Sequence, residues 1–130
     1  MQVPINNWIQ SADYDFKTAS HMFKSGRYIY VVFLCHLSIE KILKAVVCKQ
    51  CRQMPPYTHN LNRLIELADI VIESTHQEFI NQISLQSVPT RYPEDFNRLS
   101  KHLNKKVAEN ILQKTRKVLR WLKQNYLKEE

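Results

Sequence analysis

The sequence predicts an all-α fold: an up-and-down bundle of four long helices plus one short helix, in a single domain over residues 1–130. Three observations carry this expectation. Apolar residues recur at steps of three and four along most of the chain, the spacing of one helix face. A single glycine leaves little material for the tight turns of a β protein. The abundant Leu, Ile, Lys, Glu and Gln all favour helix.

The first helix is marked by Ile5, Trp8, Ile9, Ala12, Phe16, Ala19 and Phe23, one apolar stripe. Asn6 or Asn7 is its candidate cap, and Gly26 marks its end. A second helix runs from about Tyr28 to Cys51 and is closed by Pro55–Pro56. Its first half is apolar on nearly every side, which predicts the most buried element. Thr58 is a candidate cap for a third helix, with Leu61, Leu64, Ile65, Ala68, Val71 and Ile72 on one face. Thr75 and Glu78 have capping-box spacing before Phe79, Ile80 and Ile83, which predicts a short fourth helix. Ser87 to Pro93 reads as a loop. The last helix begins near Ser100 or Asn104 and reaches Tyr126, with Leu103, Val107, Ala108, Ile111, Leu112, Val118, Leu119 and Leu122 as its core stripe. Short connections between amphipathic helices imply antiparallel neighbours. A second helix apolar all round also asks for cover beyond the monomer, which predicts a homodimer.

Composition narrows the function. No stretch approaches the roughly 20 apolar residues of a membrane-spanning helix, and the N-terminus lacks the pattern of a secretory signal. Cys35, Cys48 and Cys51 are odd in number, which fits a reducing, cytoplasmic compartment. The net charge of +7 arises wholly from residues 96–130, since residues 1–95 carry nine Lys/Arg and nine Asp/Glu. That asymmetry points either to a polyanionic partner or to a solvated helix face. Lys105, Lys106, Arg116 and Arg120 form the candidate basic surface.

His36, Glu40 and Lys44 lie four apart, so they form a polar stripe on an otherwise apolar helix. A buried charge must be paired, exposed or functional, because desolvation is costly. A Glu40–Lys44 pair with His36 as a core residue satisfies that demand, as does a phosphate or proton-transfer site beside a cleft. Arg91 and Tyr92 in the loop have the chemistry to grip phosphate and stack a base. The alternative is that Tyr92 packs on the bundle while Arg91 pairs with Glu40. His59 either closes a helix start or joins Glu40 and Arg91 in a polar cluster. Cys48 and Cys51 have half a zinc-site spacing but no second pair, so no metal and no cofactor is expected. One glycine also rules out most phosphate-binding loops.

These residues resemble a known family. Cys35-His36-Leu37-Ser38-Ile39-Glu40-Lys41-Ile42-Leu43-Lys44-Ala45 is similar to the second-helix signature of the HEPN domain (higher eukaryotes and prokaryotes nucleotide-binding). Tyr57-Thr58-His59-Asn60-Leu61, with Leu64 following, resembles its Thr-His-x-Leu segment, and Thr90-Arg91-Tyr92-Pro93 resembles its Arg-Tyr-Pro loop. Trp8, Ala12, Asp13 and the Gly26–Tyr28 pair also fit. The resemblance covers nearly the whole chain. It implies a four- to five-helix bundle that dimerises through helix faces. It also implies a minimal nucleotidyltransferase as partner in a toxin–antitoxin-like pair. The leading expectation is then a module that binds nucleotide or RNA phosphate, with Glu40, Lys44, His59, Arg91 and Tyr92 as the candidate site.

Some members of that family are metal-independent ribonucleases with an Arg and a His separated by four to six residues. Arg98 and His102 are the nearest match, with three residues between them and apolar Leu99 where a polar residue would stand. At i,i+4 on a helix they would share a face, one to hold phosphate and one to move a proton. The departures weigh against catalysis. A non-catalytic protein-interaction module is the third alternative.

Overall fold

A computed structural model describes residues 4–128, and within them every regular element is helical. Six α-helices follow in order: α1 (Ile5–Lys24), α2 (Tyr28–Cys51), α3 (Leu61–Ala68), α4 (Ser74–Ser87), α5 (Phe96–His102) and α6 (Lys105–Tyr126). Two 3₁₀ turns, Val88–Arg91 and Pro93–Asp95, join α4 to α5. The all-α bundle is as the periodicity predicts. Its third helix is only eight residues long, and α5 is an additional short element.

Side-chain pairs fix the directions of the helices. Phe23 stacks near Tyr28, Asp15 bonds Lys41, and Lys44 lies over Trp8, so α1 and α2 run antiparallel. Gly26 makes their tight turn possible: it sits at φ +78, a conformation L side chains rarely adopt. Lys123 bonds Asp13 and Arg116 covers Phe16, so α6 runs antiparallel to α1. His76 stacks near Trp121 while Lys114 lies over Phe79, so α4 also opposes α6. Near their C-terminal ends α2 and α6 meet, where Lys49 donates to the Lys128 carbonyl at 2.9 Å.

The core is built around α2, which buries fourteen of its residues against α1, α3, α4 and α6. The second half of α2, not the first, is the more enclosed. Residues 42–48 are buried without a break, whereas Tyr30 is exposed and Phe33, Leu34 and Leu37 are half-buried. The reason is tertiary: α3 folds back over α2 and α6 supports it, while one side of its first half is left open.

Several ends differ from the sequence expectation. Asn6 and Asn7 lie inside the first turn of α1, whose N-cap is Pro4. Asn60, not Thr58, caps α3 by accepting from the Arg63 N–H at 3.1 Å. Thr58 instead accepts from the Asn60 N–H at 3.2 Å, which shapes the approach to the helix. At the other end α3 stops at Asp69, which is left-handed at φ 55. Ile70 and Ile72 are buried in the non-helical segment beyond it while Val71 is exposed, an alternation of period two that resembles helical spacing over so few residues. Glu73 caps α4 through the Thr75 N–H, and Asn104 caps α6 through the Val107 N–H at 3.0 Å. No described helix is long and apolar enough to cross a membrane.

Candidate phosphate site

The polar stripe of α2 turns a charged cluster into the bundle. Glu40 is only 2% exposed and Lys44 only 6%. Their i,i+4 spacing brings Lys44 Nζ within 3.3 Å of Glu40 Oε2, and the ammonium also lies 5.4 Å from the Trp8 ring centroid. The second carboxylate oxygen, Oε1, accepts from His59 Nδ1 at 2.9 Å. Each oxygen of the buried carboxylate therefore has its own donor, which is what makes burial tolerable.

Beyond His59 lies an open hollow of about 520 Å³ between α2, the start of α3, and α4. Its walls carry His36, His59, Asn62, Asn81, Ser87 and Arg91, among others. His36 is 4% exposed, and its Nδ1 is sealed from solvent with no hydrogen-bond partner. Burial pushes its imidazole down to about 4, against the pull of Glu40 and with the push of Arg91 and His59. His36 is thus neutral near pH 7. Arg91 holds its guanidinium carbon 4.6 Å from the Phe33 ring centroid. It pairs with no carboxylate among the described residues, so the Glu40–Arg91 pair does not form.

The sequence-derived set is therefore divided. His59 and Arg91 line the hollow together with His36. Glu40 and Lys44 do not line it; they lie behind it, neutralising each other while Glu40 holds His59. Tyr92 borders a neighbouring hollow with Tyr30 and Phe96. It leaves the 3₁₀ turn in extended conformation at φ −118 and ψ 125, and Arg91 lines that second hollow as well as the first. Arg98 and His102 stand exposed on α5, where Arg98 bonds Asp95 at 3.0 Å; neither lines the hollow. Lys105, Lys106, Arg116 and Arg120 are exposed on α6 and also lie outside it. Of these, Arg116 covers Phe16. The structure adds Asn62 and Asn81, which sequence reasoning misses because exposed amides carry no spacing signature.

No metal site takes shape at the cysteines. Cys48 is buried, and exposed Cys51 donates to the Leu67 carbonyl at 3.2 Å. Among the described residues no group of three or more His, Cys, Asp or Glu could hold a metal ion.

The chain matches the HEPN domain over residues 5–125. It belongs to the HEPN family. Solved structures resemble this HEPN chain throughout its length. TT1696 from Thermus thermophilus shares 21% identity and a TM-score of 0.75, covering 92% of this chain and 96% of its own. ST0689, described as an archaeal HEPN homologue, shares 15% identity and a TM-score of 0.70, covering 96% and 99%. At such identities the likeness speaks for the HEPN fold. No curated protein matches the chain in sequence.

Proposed function

We propose that this HEPN chain is a cytoplasmic, homodimeric binding module that holds the phosphate of a nucleotide or RNA in the hollow walled by His36, His59 and Arg91. The observation that carries this is convergence: three nitrogen-bearing side chains from α2, the loop before α3 and a 3₁₀ turn border one open space. Arg91 is the key group, because an arginine with no carboxylate partner among the described residues keeps its donors for the phosphate oxygens. Neutral His36 adds a hydrogen-bonding ring, and Glu40 orients His59 from behind.

A dimer is supported by what α2 leaves uncovered. Tyr30, Tyr92 and Phe96 are exposed beside half-buried Phe33, Leu34 and Leu37, an apolar surface of the kind that subunits cover. The free state of all three cysteines agrees with a reducing compartment. As in the family resemblance, we take the partner to be a minimal nucleotidyltransferase within a toxin–antitoxin-like pair. The basic outer side of α6, with Lys105, Lys106, Arg116 and Arg120, is a peripheral surface for the polyanion.

The test is titration at low salt with inorganic phosphate, nucleoside monophosphates and short single-stranded RNA. Affinity is expected to fall with salt and to drop about tenfold or more in Arg91→Ala. Absence of binding to all three ligands would overturn the proposal and favour the protein-interaction module. Retention of a nucleotidyltransferase through size exclusion, after co-expression, checks the partner.

A further inference from the structure

One wall of the hollow is built differently from the rest. Asn62 of α3 and Asn81 of α4 both line it, and they are bonded to each other, Asn62 Nδ2 donating to Asn81 Oδ1 at 3.0 Å. Gln77 closes the set from outside the hollow. Its Nε2 donates to Asn62 Oδ1 at 2.8 Å and to Asn81 Oδ1 at 3.0 Å. The three amides form a closed ring of hydrogen bonds.

That ring decides what the wall can recognise. An amide oxygen has two lone pairs, and those of Asn81 Oδ1 are both occupied. Asn62 has turned both its oxygen and its nitrogen toward Gln77 and Asn81, so its two-pronged edge is consumed. Reading adenine through its amino group and ring nitrogen requires an amide to offer oxygen and nitrogen side by side. Neither asparagine has that edge left. Both N–H groups of Asn81 remain, and so does one of Asn62. The wall therefore presents donors, which suit carbonyl oxygens; on adenine they meet only ring nitrogens and leave the amino group without an acceptor.

Spacing completes the argument. Along α4, Asn81 and Val88 are two turns apart, about 10 Å at the helical rise, and Val88 opens the turn that carries Arg91. That backbone separation is of the order of the reach of a nucleoside monophosphate from phosphorus to the far edge of its base. A hollow of about 520 Å³ is also within the usual size for a small-molecule site.

We propose that the hollow reads the base as well as the phosphate. Arg91 takes the phosphate, while the Asn62–Asn81 wall, locked by Gln77, selects a base with carbonyl acceptors over adenine. This rests on the phosphate-binding function proposed above. Gln77 is a positioning residue: it touches no ligand and acts by holding both amide oxygens.

The experiment is calorimetric titration of the intact protein with uridine 5′-monophosphate, adenosine 5′-monophosphate and inorganic phosphate. Uridine monophosphate is expected to bind about fivefold to tenfold more tightly than the adenosine compound, the worth of one or two ordinary hydrogen bonds. Asn81→Leu, an exposed change on α4, should bring the ratio close to one. Gln77→Leu should also narrow it, by freeing amide oxygens and so raising the affinity for adenosine monophosphate. Equal affinities in the parent protein, or a preference for adenosine, overturn base selection while leaving phosphate binding standing. If none of the three ligands binds, both proposals fall.

Discussion

His59 Nδ1 stands 2.9 Å from Glu40 Oε1, and this bond ties the loop before α3 to the enclosed centre of α2. Glu40 answers to Lys44 with its other oxygen at 3.3 Å. One buried carboxylate thus couples a core ion pair to the rim of the hollow.

Removing Glu40 alone should be costly. Glu40→Ala leaves the Lys44 ammonium buried without a partner, and a loss of about 3 kcal/mol or more is expected by chemical denaturation. Replacing both residues, as Glu40→Gln with Lys44→Met, should cost much less than the sum of the single changes. Strict additivity in that double-mutant cycle would show that the two charges do not depend on each other.

Stability should respond to His36. Its imidazole titrates near 4 when folded and near 6.5 when unfolded, so the unfolded chain binds more protons between those values. Stability contributed by neutral His36 is present above pH 6.5 and is lost as the pH falls toward 4. About 2 kcal/mol should disappear between pH 7 and 5 through this group. Denaturation of the parent and of His36→Gln at both pH values isolates it: the variant should show a flatter dependence.

The uncovered side of α2 predicts the oligomeric state. Light scattering at micromolar concentration should give a dimer mass, and Tyr30→Glu with Phe96→Glu should give a monomer that stays folded, since both residues are exposed. A monomer mass for the parent protein would remove the dimer.

Arg98 and His102 carry the ribonuclease alternative. Arg98 is bonded to Asp95, and both residues stand on α5 away from the hollow. The parent protein is therefore expected to leave single-stranded RNA intact in chelator. Cleavage that vanishes in His102→Ala would establish the enzyme that the binding proposal sets aside.

Cysteine reactivity gives a quick check on the core. Cys35 and Cys48 are buried, and burial pushes the Cys35 thiol up to about 12, so neither should react in the native state. A thiol-reactive dye should label one cysteine, Cys51, in buffer and all three in denaturant.

Much of this was legible in the sequence because helices impose a strict period. Steps of three and four placed α1 and α2 to within a residue or so, and Gly26 marked the first turn. Of the two starts expected for α6, Asn104 is its cap, while Ser100 lies in α5 and Leu103 ends that helix. The Glu40–Lys44 pair followed from i,i+4 spacing. Short elements were harder to read. Over three residues, a non-helical stretch such as Ile70–Ile72 mimics a helix face, and α5 has only Leu99 buried to announce it. Neighbouring capping candidates also compete, which is how Asn60 displaced Thr58.

The chain's own periodicity determined that it folds as helices, that α2 is central, and that Glu40 must find partners inside the bundle. Only the tertiary structure decided that Arg91 lies over Phe33 and pairs with no carboxylate among the described residues, that Tyr92 opens onto a second hollow, and that Asn62 and Asn81 meet at the first. The reason is physical. Local hydrogen bonding and apolar spacing act between residues a few positions apart, whereas His59 reaches Glu40 and Asn81 reaches Asn62 across nineteen positions each. Contacts at that range depend on how whole helices settle against one another.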